Sequence, residues 1–204
     1  MSENEKRSRN REATRKALLE AAKVVLADQG FQGFGINAVA RQAGCDKQLI
    51  YRYFDGLEGL LEAIGEDIAH WIGDAADSGE YINETYPEKM ARFTDAYLMA
   101  LRGNRLIQKI LLWELSAPTE DVRPLVEARS QAMFLWMKQA RGEALPPPGV
   151  DYALINASIV AIIQQMVLSA ATSGRFSGLS LQTEAEWQRL RNGLKNFIVR
   201  LYAT

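Results

Sequence analysis

Cysteine and histidine are almost missing from this chain: among 204 residues there is one of each, Cys45 and His70. A single cysteine excludes an intramolecular disulfide and fits a reducing compartment, so a cytoplasmic location is expected. His70 lies among Ile68, Trp71 and Ile72 with no second ligand at metal-binding spacing, which argues against metal chemistry. No cofactor is expected. There is no Gly-rich phosphate loop, and Cys45 has no histidine partner in the local sequence, so a nucleophile–base pair is lacking and an enzyme is not expected. The first residues are charged and lack an apolar core segment, so no secretory signal is expected. Internal repeats are lacking too.

Net charge is also scarce, at −1 overall, but it is unevenly placed. Residues 1–54 hold ten Lys and Arg against six Asp and Glu, a net of +4 that leaves −5 for the rest. The stretch Lys6-Arg7-Ser8-Arg9-Asn10-Arg11, with Arg15 and Lys16, concentrates the positive charge. Taken alone it reads equally well as a solvated tail or as an arm for phosphate.

What is present begins at residues 35–54. Ile36, Val39, Ala40 and Ala43 recur at helical spacing, so a first short helix buries one face. Gly44 ends it, and Asp46 stands where it can cap a second helix. In that second helix Ile50, Tyr53 and Phe54 form an inner stripe, while Lys47, Gln48, Tyr51 and Arg52 form an outer row of donors. Cys45 sits in the turn, where a small apolar side chain packs between helices. Two helices joined by a tight turn, the second carrying donors outward, suit entry into a DNA major groove. Ahead of such a motif, the basic arm reads as a phosphate or minor-groove contact.

Upstream, Leu18, Ala21, Ala22 and Val25 form one stripe, closed by Gly30-Phe31. Over roughly residues 10–64 the chain resembles the TetR family of transcriptional repressors. The resemblance rests on Ala43-Gly44, the polar cap Asp46 and the run Ile50-Tyr51-Arg52-Tyr53-Phe54. Three positions depart from the pattern. Gly35 replaces the usual Thr or Ser cap, Leu57 stands where a phosphate-contacting Lys is frequent, and Leu49 replaces a small polar residue. Together they shift expected affinity towards the arm.

Beyond the motif the pattern is helical throughout. Leu57, Leu60, Leu61, Ile64 and Ile68 lead to Trp71 and Ile72; Gly79 and Tyr86-Pro87 mark a break. Helix resumes through Met90, Phe93, Tyr97, Leu98 and Leu101, pauses at Gly103-Asn104, and continues through Ile107, Leu111 and Leu115. Pro118 and Pro124 bracket the next start, ahead of Leu125, Met133, Trp136 and Met137. Leu145-Pro146-Pro147-Pro148-Gly149 is a stiff connector. Residues 152–171 are apolar nearly all round; Asn156, Gln164 and Gln165 argue against a membrane span and for a helix inside a bundle. The last helix opens with a Thr183–Glu186 capping box and carries Trp187, Leu190, Leu194, Phe197 and Leu201 at steps of three and four.

The expected fold is all-α: an arm and helix-turn-helix DNA-binding domain over 1–56, then a helical effector-binding and dimerisation domain over 57–204. The expected function is a DNA-binding transcriptional regulator, a ligand-responsive repressor acting as a homodimer on a double-stranded, pseudo-palindromic operator. The alternative is a dimeric helical scaffold without DNA readout. On the DNA side Lys47 and Arg52 supply bonds to phosphate or guanine, Gln48 to adenine, and Tyr51 a ring for thymine methyl and a hydroxyl for phosphate. Asn37 and Tyr53 match family positions that touch DNA. The resemblance further implies dimerisation through the last two helices and a small-molecule pocket whose occupation respaces the DNA-reading heads. Candidate lining residues are Phe93, Tyr97, Trp113, Met133 and Trp136, with Gln164 or Gln165 as polar anchor, which favours an apolar or aromatic effector.

Overall fold

The computed structural model describes residues 3–76, 84–117, 119–141 and 143–202; Gly79 and Pro118 lie outside the described residues. Within these the chain is helical, with one small hairpin: α1 Glu3–Gly33, α2 Ile36–Ala43, α3 Gln48–Phe54, α4 Leu57–Ala76, α5 Tyr86–Gly103, α6 Arg105–Ser116, α7 Thr119–Arg141, α8 Tyr152–Ser173, β1 Arg175–Phe176, β2 Leu179–Ser180 and α9 Glu184–Leu201. The all-α expectation holds. The hairpin was not foreseen; Ser177 (φ 45°) and Gly178 (φ 81°) form its turn, pairing Phe176 with Leu179.

The helices group into two compact units, Met1–His70 with Lys109–Met133, and Trp71–Gln108 with Phe134–Thr204. The core of the first is the stripe Leu18, Ala22, Val25 and Leu26 of α1, packed with Val39, Ile50, Leu60, Ile64, Ile110 and Leu125, all at or near zero exposure. Lys23 is buried in the same unit and bonds Asp67 on α4 at 2.6 Å and Glu20 at 2.8 Å. Burial alone would depress its pKa; the hydrogen bonds to Asp67 and Glu20 outweigh that and hold it above the ordinary lysine value. Helix α1 breaks at Gly30, whose φ of 66° lies in the left-handed region. That is where the sequence pattern closed it.

In the second unit α5 packs on α8 and α9. Helix α5 starts with a capping box that the sequence reading overlooked: Glu88 accepts from the Thr85 amide at 2.8 Å and from its hydroxyl at 2.7 Å, just ahead of Pro87 in the first turn. The box expected at α9 is present, with Glu186 accepting from the amides of Gln182 and Thr183 at 2.9 Å each. Those backbone donors pull its carboxyl down to about 2.

Within the single chain, helix α8 buries Ile159, Ile163, Val167 and Leu168, while its apolar residues Leu154 and Val160 are exposed. Among the described residues it is also the helix long and apolar enough to cross a membrane by length and composition. Two of its polar side chains are tied to other parts of the unit: Tyr202 donates to Asn156 at 2.6 Å and Gln164 donates to the Tyr97 hydroxyl at 3.0 Å. The non-helical stretch between α7 and α8 contains the triple proline, as expected.

Candidate nucleic-acid interface

The geometry of the α2–α3 turn follows from three adjacent residues. Gly44 takes φ 64°, ψ 35°, and its amide reaches the carbonyls of Ala40 and Arg41, which closes α2. The Cys45 amide bonds Ala40 O at 3.1 Å. Asp46 then accepts from the Gln48 amide at 2.8 Å, satisfying an orphan donor at the start of α3. Gly35 caps α2 in an extended conformation and offers no side-chain bond. Cys45 is half-buried rather than fully buried. Burial, then the neighbouring Asp46 charge, raises its pKa, which keeps the thiol protonated at neutral pH.

This turn fixes the rotation of α3. Ile50 and Phe54 point into the core at 0% and 6% exposure. Lys47, Gln48, Tyr51 and Arg52 are exposed, with Tyr51 at 54%. The expected inner and outer faces are therefore both present, and Tyr53 is intermediate, with the Arg52 guanidinium 6.0 Å from its ring centroid. Asn37 is exposed on α2, and it shares with Lys47 and Tyr51 a groove of about 600 Å³. Gln32 and Arg41 line the same groove and were missed by the sequence reading. Arg41 stands four residues after Asn37, so helical spacing alone places both on one face. Arg52 and Tyr53 line a different cleft, with residues of α1.

The residues suggested for an effector divide between the two units. Phe93 and Trp136 meet edge-on at 5.2 Å, and Tyr97 is bonded to Gln164; all four lie in the second unit. Trp113 and Met133 belong to the first. There the Trp113 indole donates to the Ala27 carbonyl at 3.1 Å. Gln165 bonds Ser169 on its own helix. Among the described residues no group of His, Cys, Asp and Glu is arranged to hold a metal ion. His70 is exposed, its Nδ1 2.8 Å from the Glu66 carbonyl.

Comparison with known proteins agrees with this arrangement. Residues 18–64 match the model of the bacterial regulatory proteins of the tetR family. An uncharacterized HTH-type transcriptional regulator of Mycobacterium tuberculosis is 24% identical, over 84% of this chain and 94% of its own. The fold is shared with a TetR family transcription regulator from Marinobacter aquaeolei VT8 (TM-score 0.64, 19% identity, 96% of this chain and 97% of that one). It is shared also with the transcriptional regulator FadR of Bacillus subtilis, solved in complex with stearoyl-CoA (TM-score 0.64, 17% identity, 90% and 97%). Motif, turn geometry and fold converge: residues 18–64 form a DNA-binding motif that matches the tetR family, in a chain similar along most of its length to HTH-type transcriptional regulators.

Proposed function

We propose that the protein is a homodimeric, ligand-responsive repressor that reads an inverted-repeat operator with Asn37, Lys47, Gln48 and Tyr51. The observation that carries this reading is the exposed row of α3 along an open groove, with Ile50 and Phe54 anchoring its other side. A helix of seven residues reaches only a few base pairs, so specificity asks for two copies on two half-sites. The unburied apolar face of α8, with Leu154 and Val160, and Phe197 and Val199 on α9, supplies a self-complementary surface for a four-helix dimer interface.

For the effector, Phe93, Tyr97, Trp136 and Gln164 offer aromatic walls and one amide, which suits a largely apolar ligand. The stearoyl-CoA of the FadR structure makes acyl thioesters a reasonable part of a test panel.

In vitro selection of duplex DNA on the purified protein tests the reading. Enrichment of an inverted repeat, bound less tightly as salt rises and released by one effector class, is the expected result. Lys47→Glu should abolish that binding and leave dimerisation intact. A folded dimer that enriches no sequence would favour the scaffold alternative.

A further inference from the structure

Backbone contacts fix α3 at both ends. At its start the Gly44 turn closes α2, and Asp46 accepts from the Gln48 amide. At its end Asp55 takes φ 58°, its amide donates to the Tyr51 carbonyl at 3.0 Å, and α4 follows from Leu57. The next fixed point is Gly59. A Cβ on this residue would stand 1.9 Å from the carbonyl oxygen of Phe54 and 3.1 Å from its carbonyl carbon. One carbon–carbon bond away, the Gly59 Cα lies within about 3.4 Å of that oxygen, the range of a Cα–H···O contact. The last carbonyl of α3, one of those that a helix leaves without an internal partner, therefore rests on the backbone of α4.

Tyr51 is joined to the same corner. Its carbonyl accepts from Asp55, and its ring lies beside Gly56, where a Cβ would stand 3.8 Å from the nearest ring carbon. The ring is 54% exposed on the outer row of α3, whereas Phe54 is buried. A side chain at residue 59 would have to push the Phe54 carbonyl away by about 1 Å before an ordinary contact is reached. The seven residues of α3 span only about 10 Å, so that displacement tilts the helix by roughly 6°. The tilt is felt most at Tyr51 and Arg52 and least at Lys47 and Gln48, which sit at the anchored start.

We propose that Gly59 is a positioning residue for operator reading: its bare Cα sets the tilt of α3 and, through it, the placement of Tyr51 against a base edge. The proposal rests on the DNA-binding reading and deepens it, adding a residue outside the exposed row to the set that decides sequence preference. Close approach alone is not the criterion. At Gly65, also on α4, a Cβ would stand 2.2 Å from the Leu125 carbonyl oxygen and 3.0 Å from the Arg129 nitrogen of α7. That glycine seats α4 on α7, and no reading residue hangs from the contact. Gly59 differs because the backbone it meets belongs to the reading helix itself.

The test titrates the full-length protein on the selected operator and on a scrambled duplex, across salt, at a temperature where thermal unfolding shows each variant folded. Wild type is compared with Gly59→Ala, Tyr51→Ala, their double mutant, and Ile110→Ala, a truncation in the core of the same unit. Gly59→Ala should lose about tenfold in preference for the operator and keep the salt slope, because no phosphate-facing charge is removed. Acting through Tyr51, it should add little to the loss of Tyr51→Ala in the double mutant. Ile110→Ala should melt lower and keep the wild-type preference. An unchanged preference in Gly59→Ala, losses at the two residues that simply multiply, or an equal loss in Ile110→Ala would each overturn the assignment and leave Gly59 a packing residue. Should Gly59→Ala not fold, Asp55→Gly decides. It loosens the corner and leaves the Gly59 contact in place, so the preference should stay while both duplexes bind more tightly for want of a negative charge; a lost preference would show that the corner, not the contact, aims α3. A wild type that prefers no duplex overturns the DNA-reading function as well.

Discussion

Gly30 and Trp113 fit each other closely: a Cβ on Gly30 would stand 2.8 Å from the Trp113 ring. The ring lies over the break in α1, its indole N–H satisfies the Ala27 carbonyl, and Lys109, four residues earlier on α6, pairs with Asp28 at 2.7 Å. Gly30→Ala therefore meets two obstacles, a left-handed φ and an occupied site. The expected loss is about 2–4 kcal/mol in denaturant unfolding. In a Trp113→Ala background only the backbone part should remain, about 1 kcal/mol. Equal losses in both backgrounds would show that the ring does not oppose a side chain at residue 30.

Lys23 gives a second prediction from the same unit. Its side chain is 9% exposed and its partner Asp67 is 35% exposed. Removing Asp67 leaves a buried ammonium with Glu20 alone, so Asp67→Ala should cost about 2–3 kcal/mol. Lys23→Met removes the charge together with its need for a partner and should cost less than that. A chemical-denaturation series of the two variants and their double mutant checks the order; a larger loss for Lys23→Met would mean that the alkyl packing, not the charge, was misjudged.

The readable parts of the sequence were those set by short-range rules. Gly44 and Asp46 mark their own turn, the Ile50–Phe54 spacing fixes which side of α3 faces out, and Thr183–Glu186 declares its helix start. The helical course of Arg7 and Arg11 was harder to read: a run of basic residues looks like a solvated tail unless its spacing is joined to the stripe at Leu18. The Ser177-Gly178 turn is flanked by only two residues on each side, too few to show a strand period. Composition cannot say which helix the Trp113 ring meets; its carbonyl partner lies 86 residues away. Nor could local pattern foresee that residues 109–133 join the unit of residues 1–70.

The Glu186 capping box predicts a pH dependence. Its carboxyl titrates near 4.5 in the unfolded chain and at about 2 in the folded one, because the amides of Thr183 and Gln182 and the Ser180 hydroxyl stabilise the anion. A depressed folded pKa contributes stability that is fully present above 4.5 and is lost as pH falls towards about 2. The melting temperature of Glu186→Ala should lie below that of wild type at pH 7, and the gap should close across that window. A gap that stays constant down to pH 2 would mean that helix propensity, rather than the cap, accounts for the difference.

The outer face of α8 carries the last prediction. Leu154 is 64% exposed and Phe197 of α9 is 45% exposed, while Trp187 and Ile198 on α9 are buried within the unit. Charges placed at the first pair fall on the proposed interface; charges at the second pair strike the core. Leu154→Glu with Phe197→Glu should therefore give a folded monomer, with far-UV circular dichroism retained and the mass halved in light scattering. Losing the second half-site should weaken binding to an inverted repeat by about 10²–10⁴-fold, while binding to a single half-site stays near the wild-type value, because the reading head is untouched. A variant that remains dimeric by light scattering would place the interface on a different surface, and the exposed apolar face of α8 would then need another occupant.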